Sequence, residues 1–408
     1  MILPRIPTRT VSFVDDYCQE YQKIFPEVRS YENFKFLHIG LISELTRKSL
    51  PEIAKYVGLK DSQSLNNFIK NSPWDVNLLR EQRLSLLKKH LGNRRFILVI
   101  NEIGDKKKGK TTDYVAKQYI GQFGKTENGI VTINAYGILD GMTFPLIFKV
   151  FKPKNTLLEG DDYQSKHDLA LGIIKKLLQR GFQFDTVIAD SVYGRNKDFL
   201  QVLNRLSLNF IVPLKISPIS TIETTYRGFY HENSQSILTS QSNFFNNRGM
   251  SQAQLNGIFD HKHSDALIEY TDDYISAVTN IPESMSQKLA HLLILLAWTE
   301  YKLKEVIKEL GWTDFRITNY QSIERWWEIV LSAYSMVSLQ SDVFQKKWQM
   351  DLFVPPETQL MAELASQNRS GDEETIWQER LHKLVKSISL NEGQKSAHWA
   401  IAAASRNN

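Results

Sequence analysis

The sequence has little cysteine, no long apolar run and no large excess of charge. Its 408 residues contain one cysteine, Cys18, so neither an internal disulfide nor a cysteine-based zinc site is possible within one chain. The most apolar stretch, residues 289–298, is about half of the roughly 20 residues that a membrane-spanning helix needs. The N-terminus is too polar for a signal peptide. We therefore expect a cytoplasmic protein with two or three domains.

The net charge of the chain is weak evidence for a nucleic-acid partner, whereas the clustering of its lysines is more informative. A formal net charge of +5 over 408 residues is a mild positive bias. A lysine-rich turn is predicted after the strand-like segment that starts at Phe96. Lysine side chains there could contact a DNA backbone. The four candidates are Lys106, Lys107, Lys108 and Lys110.

Residues 1–92 are predicted to form a helical DNA-binding domain. Within them, Ser49 and Glu52 predict a capping box at the start of one short helix, and Gly58 predicts its end. A second helix is predicted to start near Asp61–Ser62. Two short helices around a glycine turn are typical of a helix-turn-helix, and a plain helical hairpin is the alternative. The exposed face of the second helix carries side chains that can reach bases or phosphates: Gln63, Asn66, Asn67 and Lys70.

The middle of the chain predicts a mixed α/β fold. Strand-like runs dominate residues 93–215, with helical patterns near 166–180 and after Asp190. Several strands followed by alternating helices and strands indicate a mixed sheet with helices packed on it. Residues 216–285 are rich in polar and β-branched residues and predict an insertion. Helices are predicted again at 286–345 and in a C-terminal tail at 346–408.

Two polar positions at predicted strand ends are candidates for a metal site. Two-metal phosphodiester chemistry requires carboxylates from separate elements that converge on the ions, and oxygen ligands suit Mg²⁺ or Mn²⁺. Asp190 ends the predicted strand "FDTVIAD", although it could instead cap the next helix. Asn101 ends the first strand, and its amide brings no negative charge. Glu102, on the opposite strand face, or Asp105, in the predicted turn, could compensate.

Several long motifs resemble one family of proteins. They include "NEIGDKKKGKTTDYVAKQYIG", "VIADSVYG", "NFIVPLK", "EYKLKEVIKELGWTDFRITNY" and "IERWWEIVLSAYSMVSL". In order from about residue 93 to 345, they are similar to DDE transposases of bacterial insertion sequences, in the 701-type group related to the insertion sequence 4 family. The N-terminal helices match the family's DNA-binding region more loosely. The resemblance implies a ribonuclease-H-like core over 93–345 with a β-rich insertion, and two-metal cleavage and joining of DNA.

The resemblance also assigns the catalytic and metal-binding positions. The first aspartate of the family falls on Asn101, the second on Asp190 and the glutamate on Glu300. The helical signature around that glutamate is otherwise lost, and Lys304 or Lys308 could replace its lysine. The signature's tyrosine, arginine and lysine positions hold Leu293, Leu296 and Ile307. Glu324 is a competing acid, but its tryptophan-rich surroundings indicate packing.

These replacements leave three hypotheses for function. The first is a transposase-derived DNA-binding protein with impaired or absent strand cleavage, which forms a homodimer on inverted-repeat ends or serves another protein system. The second is an active transposase that uses Mg²⁺ or Mn²⁺ at the ends of an insertion sequence. The third is a structural or interaction module that does not bind DNA. The first two imply a protein associated with the bacterial nucleoid.

Overall fold

In the computed structural model, five α-helices precede the first β-strand among the described residues. They are α1 (Ser12–Gln19), α2 (Val28–Ile42), α3 (Leu50–Tyr56), α4 (Gln63–Lys70) and α5 (Val76–Leu91). The structure describes residues 6–214, 237–241, 254–258, 266–268, 276–281, 292, 295, 303, 306–345 and 378–386. No helix within these residues is long and apolar enough to cross a membrane.

Strands and further helices follow, in the order that the sequence predicts as far as residue 214. The strands are β1 (Phe96–Lys106), β2 (Ala116–Ile120), β3 (Lys125–Leu139), β4 (Met142–Phe151), β5 (Phe184–Ala189), β6 (Asn209–Leu214), β7 (Ile237–Gln241), β8 (Gln254–Ile258), β9 (Ala266–Ile268) and β10 (Ser276–Thr279). The helices are α6 (Lys166–Gln179), α7 (Lys197–Arg205), α8 (Tyr320–Leu339) and α9 (Asp342–Gln345).

Eight of the described strands form one mixed sheet. Its order is β2–β3–β1–β5–β6–β10–β9, and β4 pairs with β3. Strand β1 is antiparallel to β3 and parallel to β5, which is in turn parallel to β6. The central position of β1 places residues 96–100 between β3 and β5. The prediction of a mixed sheet with helices packed on it is confirmed.

The structure forms both helices of the predicted helix-turn-helix segment. Gly58 ends the first with a positive φ of 74°, which glycine adopts without the steric cost of a side chain. Leu65, Phe68 and Ile69 of α4 are buried, as its periodicity predicts. The predicted capping box is wrong in detail. Ser49 occupies the N-cap position of α3, but its side chain makes no capping hydrogen bond.

Strand β1 is longer than the sequence predicts. Asn101 was expected at the strand's end and Asp105 in the turn, but both lie within β1, which continues to Lys106. The physical reason is pairing, because β3 remains in register with β1 from Ile138 back to Gly129. The polar second half of β1 therefore keeps its strand form through the backbone ladder with β3.

A buried ion-pair network fixes α5 and α8 to the sheet. The side chains of Arg83 and Glu328 are both 0% exposed and form an ion pair of 2.7 Å. Arg80 pairs with the other Glu328 oxygen at 3.0 Å and with Glu324 at 2.8 Å. Arg83 also donates to the carbonyl oxygens of Pro145 and Leu146 on β4, at 2.9 and 2.7 Å. Two arginines and two glutamates thus balance their charges, and most of their donors are satisfied.

A second buried polar network joins the first helices to α8. Ser332 of α8 contacts His38 Nε2 at 2.9 Å and the Tyr17 hydroxyl at 3.1 Å. The other ring nitrogen of His38 contacts the Phe34 carbonyl oxygen at 2.8 Å. Burial lowers the pKa of His38 from its ordinary value of 6.5 to about 4, because a charged imidazole would lose its hydration.

Neutralising Glu328 should destabilise the protein strongly. Glu328→Gln leaves Arg83 as a buried cation without its counter-charge, so we expect a loss of about 3–5 kcal/mol in the free energy of unfolding. Urea denaturation measures this loss. The control is Asp185→Asn, which removes a more exposed pair with Arg95 at 3.6 Å and should cost less than about 1 kcal/mol. Equal losses in the two variants would contradict the assigned role of Glu328.

His38 should make stability fall in mild acid. The unfolded chain takes up a proton at this residue near pH 6.5, whereas the folded protein does so only near pH 4. The free energy of unfolding therefore decreases as pH falls between these values, by about 3 kcal/mol from this residue. Denaturation of His38→Leu should show a shallower slope over that window. Ser332→Ala, which retains the histidine, should keep the slope, and an unchanged slope in His38→Leu would contradict the assignment.

Candidate active site on the central strands

The end of β5 brings Asp190 beside Asn101. The parallel register pairs Ile100 with Ala189, so the next residues, Asn101 and Asp190, are neighbours across the two strands. The Asp190 backbone N–H donates to the Ile100 carbonyl oxygen at 3.0 Å, which extends the ladder by one residue. The Asp190 side chain is half-buried, and one of its oxygens accepts from the Ser191 hydroxyl at 3.2 Å. The fold thus brings two of the three predicted catalytic positions together.

The opposite edge of β1 adds a residue that the sequence analysis did not select. Asn134 of β3 pairs directly with Asn101, so both side chains lie on the same face of the sheet. They are 1% and 4% exposed. The available signal was a single amide inside the apolar run "GIVTINAYGI". Acidic residues at strand ends point to a metal site, whereas an amide within a strand carries no such signal.

The Glu102 side chain lies on the face of the sheet opposite to that of Asn101. One of its oxygens accepts from the Lys166 ammonium group at 2.6 Å, and the other accepts from the Gly121 backbone N–H at 3.3 Å. Glu102 is 3% exposed, so this pairing compensates a buried charge. These contacts join β1 to the start of α6. Glu102 therefore has a structural role in the described structure.

Tyr193 lies in the turn that follows Asp190. Its backbone N–H donates to the Asp190 carbonyl oxygen at 3.0 Å, and its ring packs against Phe199 and His167. Burial raises the pKa of Tyr193 well above its usual value, and the negative charges of Glu102 and Asp190 add to the effect. The phenol therefore stays neutral and anchors this turn in the core.

Asp105 lies on the same strand face as Asn101 but four residues further along β1. Its carboxylate pairs with the Lys107 ammonium group at 2.6 Å, and Lys107 also lies 3.8 Å from the centre of the Phe315 ring. Burial raises the pKa of Asp105, while Lys107 acts in the opposite direction. Asp105 is thus paired at the end of the strand, some distance from Asp190.

The four lysines after β1 differ in their surroundings. Lys106 is exposed and pairs with Glu127 at 3.0 Å, and Lys107 is held by Asp105. Lys108 and Lys110 are exposed. The Asn128 side chain fixes the turn by donating to the carbonyl oxygens of residues 107 and 109, at 2.7 and 2.9 Å.

The candidate DNA-contacting residues of α4 are mostly exposed. Gln63, Asn67 and Lys70 are open to solvent. Asn66 is half-buried, and its amide donates to the Ser62 carbonyl oxygen at 2.9 Å. Three of the four side chains are therefore available to a partner.

The third predicted catalytic residue, Glu300, lies outside the described residues, as do Leu293, Leu296 and Lys304. Ile307, at the family's lysine position, is 1% exposed, so it belongs to the core. Glu324 pairs with Arg80, which agrees with the packing role expected for it. Nowhere in the described part of the chain do three or more His, Cys, Asp or Glu side chains form a possible metal site.

The side-chain oxygens on the central strands are of the kind that binds divalent cations, but together they carry little negative charge. Asp190 supplies a carboxylate, and Asn101 and Asn134 supply amide oxygens. Carboxylate and amide oxygens are ligands for Mg²⁺, Mn²⁺ and Ca²⁺. With one negative charge among these three side chains, we expect weak binding.

Comparison with known proteins adds a similarity to this arrangement. Residues 20–217 match the model of the DDE superfamily endonucleases. The matched segment covers a little under half of the 408 residues and contains both Asn101 and Asp190.

A curated relative makes the similarity more specific. Over 216 residues the chain is 54% identical to the probable transposase for insertion sequence element IS701 of Microchaete diplosiphon. The matched part is 53% of this chain and 57% of the relative, so it spans a little over half of that protein.

Proposed function

We propose that this chain is a DNA-binding protein of the DDE transposase type in which strand cleavage is impaired. The observation that carries the proposal is Asn101. It lies beside Asp190 at the centre of the sheet, where the resemblance expects a second carboxylate. A neutral amide at this position removes one negative charge from the metal site.

The strand order supports a ribonuclease-H-like core. Strands β4–β3–β1–β5–β6 form a sheet with two antiparallel pairs followed by two parallel pairs. In this arrangement the middle of β1 and the end of β5 are adjacent, which suits a shared cation. We place the catalytic and metal-binding positions at Asn101, Asp190 and Glu300.

A cation at this site would be Mg²⁺ or Mn²⁺, held by Asp190 with help from the neighbouring amide oxygens. When bound, such ions stabilise the negative charge that develops on the attacking and leaving oxygens during phosphodiester cleavage. Fewer carboxylates mean weaker cation binding, and weaker binding reduces that stabilisation. The absence of a compensating acid among the described residues strengthens the argument, because Glu102 and Asp105 are both engaged by lysines.

Two exposed regions support double-stranded DNA as the partner. The first is the face of α4 with Gln63, Asn67 and Lys70, whose side chains can donate to base edges or phosphates. The second is the turn after β1 with Lys108 and Lys110. Inverted-repeat ends are the expected target, and a homodimer would place two such surfaces on paired ends.

An active transposase is the alternative function. The observation that favours it is the half-buried Asp190 carboxylate, which remains accessible at the end of β5. Under this alternative, the unmodified protein cuts DNA that carries the ends of its element when Mg²⁺ or Mn²⁺ is supplied.

DNA binding should depend on salt through the lysine-rich turn. Each lost phosphate contact reduces the steepness of log Kobs against log salt by about one, so Lys108→Gln/Lys110→Gln should reduce it by about two. Fluorescence anisotropy of a labelled random-sequence duplex in EDTA measures this slope. Lys23→Gln, at an exposed lysine in the N-terminal helical region, is the matched control and should leave the slope of log Kobs against log salt unchanged.

Two outcomes would contradict the binding half of the proposal. One is that the unmodified protein does not bind DNA at low salt, which would favour a structural or interaction role. The other is that the control variant and the double variant change the slope equally, which would place the phosphate contacts elsewhere.

A further inference from the structure

Among the described residues, the buried side-chain oxygen of Asn134 has no hydrogen-bond partner. Its side chain is 1% exposed, and Oδ1 meets no donor among the residues that the structure describes. A buried amide oxygen without a donor loses its hydration and gains no hydrogen bond, so native structures rarely contain one without a reason. The position of this oxygen on the central strands points to a ligand.

The orientation of the amide follows from its other contacts. The Asn134 Nδ2 group donates to the Thr132 carbonyl oxygen at 3.2 Å and to the Thr132 hydroxyl oxygen at 2.8 Å. A carbonyl oxygen cannot donate, so exchanging the amide oxygen and nitrogen would place two acceptors against each other. The Thr132 hydroxyl is itself directed to the Ile103 carbonyl oxygen at 3.3 Å. The nitrogen is thus fixed toward Thr132, and Oδ1 is left for another partner.

The surrounding backbone holds Asn134 at the candidate site. Its cross-strand neighbour is Asn101, which is in turn the neighbour of Asp190. The pairing of β3 with β4 shifts directly after Asn134, where one residue more is accommodated on β4. The buried Arg83 guanidinium binds the β4 carbonyl oxygens at this irregularity. Bulges of this kind are enriched next to active sites.

We propose that Asn134 is a further ligand of the divalent cation, and that its Oδ1 completes an oxygen set with Asn101 and Asp190. This inference rests on the proposed function, since it assumes that the DDE-type site still binds a cation. The ligand class is a hard divalent ion such as Mg²⁺ or Mn²⁺, which prefers carboxylate and amide oxygens. In this arrangement the cation supplies the partner that the buried oxygen lacks.

Mn²⁺ binding to the full chain without DNA tests this proposal. Titration monitored by electron paramagnetic resonance reports free Mn²⁺ directly and requires no catalysis. Asn134→Ala should weaken Mn²⁺ binding about tenfold or more, because one ligand is lost. Asn134→Asp should tighten binding about tenfold, because a carboxylate replaces a neutral oxygen at the same position.

Matched variants separate a ligand from a structural residue. Asn33 is a buried asparagine of α2, and Asn33→Ala and Asn33→Asp make the same exchanges away from the site. Both should leave Mn²⁺ affinity unchanged, whatever their effect on the melting temperature. Asp190→Ala should weaken Mn²⁺ binding at least as much as Asn134→Ala.

Three results would overturn the proposal. The first is an Asn134→Ala variant that binds Mn²⁺ as tightly as the unmodified protein while Asp190→Ala does not. The second is an equal effect of the Asn33 and Asn134 exchanges. The third is the absence of Mn²⁺ binding in both the unmodified protein and Asn134→Asp. DNA binding in EDTA is measured separately, so these failures remain distinct from a failure to bind DNA.

Discussion

The buried ion pair between Arg83 and Glu328 is the constraint on which the rest of the structure depends. Burying two charges is tolerable only when their mutual hydrogen bonds compensate for the lost hydration of both. Arg83 of α5 and Glu328 of α8 form such a pair, and Arg83 also binds two carbonyl oxygens of β4. Through β4 it fixes the strand irregularity beside Asn134. The helices before the sheet are thus held against the same face that carries Asn101. The Arg83–Glu328 ion pair therefore contributes both to the packing of α5 and α8 and to the position of β4 beside the candidate site.

Much of the fold could be predicted from local patterns. The strand-like runs and helical patterns indicated the mixed sheet, and the Asp-Gly pair at Asp140–Gly141, between β3 and β4, is typical of a hairpin turn. Both residues adopt the positive φ values, 49° and 74°, that such a turn requires. The full length of β1 was not predictable from its own residues, because its polar second half is kept in strand form by β3. Likewise, Arg83 and Glu328 are 245 residues apart, and no local pattern predicts their pairing.

The candidate site was predictable in part. The resemblance selected Asn101 and Asp190, and the parallel register brings them together. The sequence does not indicate Asn134, because an amide within a strand carries no motif. The residue becomes informative only in the structure, where its oxygen is buried and has no donor among the described residues. The role of Glu102 was also left open by the sequence, since its partner Lys166 lies on a distant helix.

Under the proposed function, the strands still bring residues 101 and 190 together, while the amide of Asn101 lowers the negative charge between them. Amide oxygens offer a cation the same kind of atom as carboxylates but less charge, so they weaken binding without disturbing the strands. The exposed lysines Lys108 and Lys110 belong to the turn after β1, so under the proposed function DNA binding does not require the cation. Loss of cleavage and retention of DNA binding are therefore physically compatible in one chain.

The most direct test of this account is a nicking assay in Mg²⁺ and in Mn²⁺. It uses DNA carrying insertion-sequence ends and compares the unmodified protein with Asn101→Asp. The account predicts that both proteins bind the DNA and that the unmodified protein does not cut it. If only Asn101→Asp cuts the DNA, residue 101 is the change that prevents cleavage. If neither protein cuts it, the replaced positions around Glu300 also contribute to the loss of cleavage. Cutting by the unmodified protein would contradict the account.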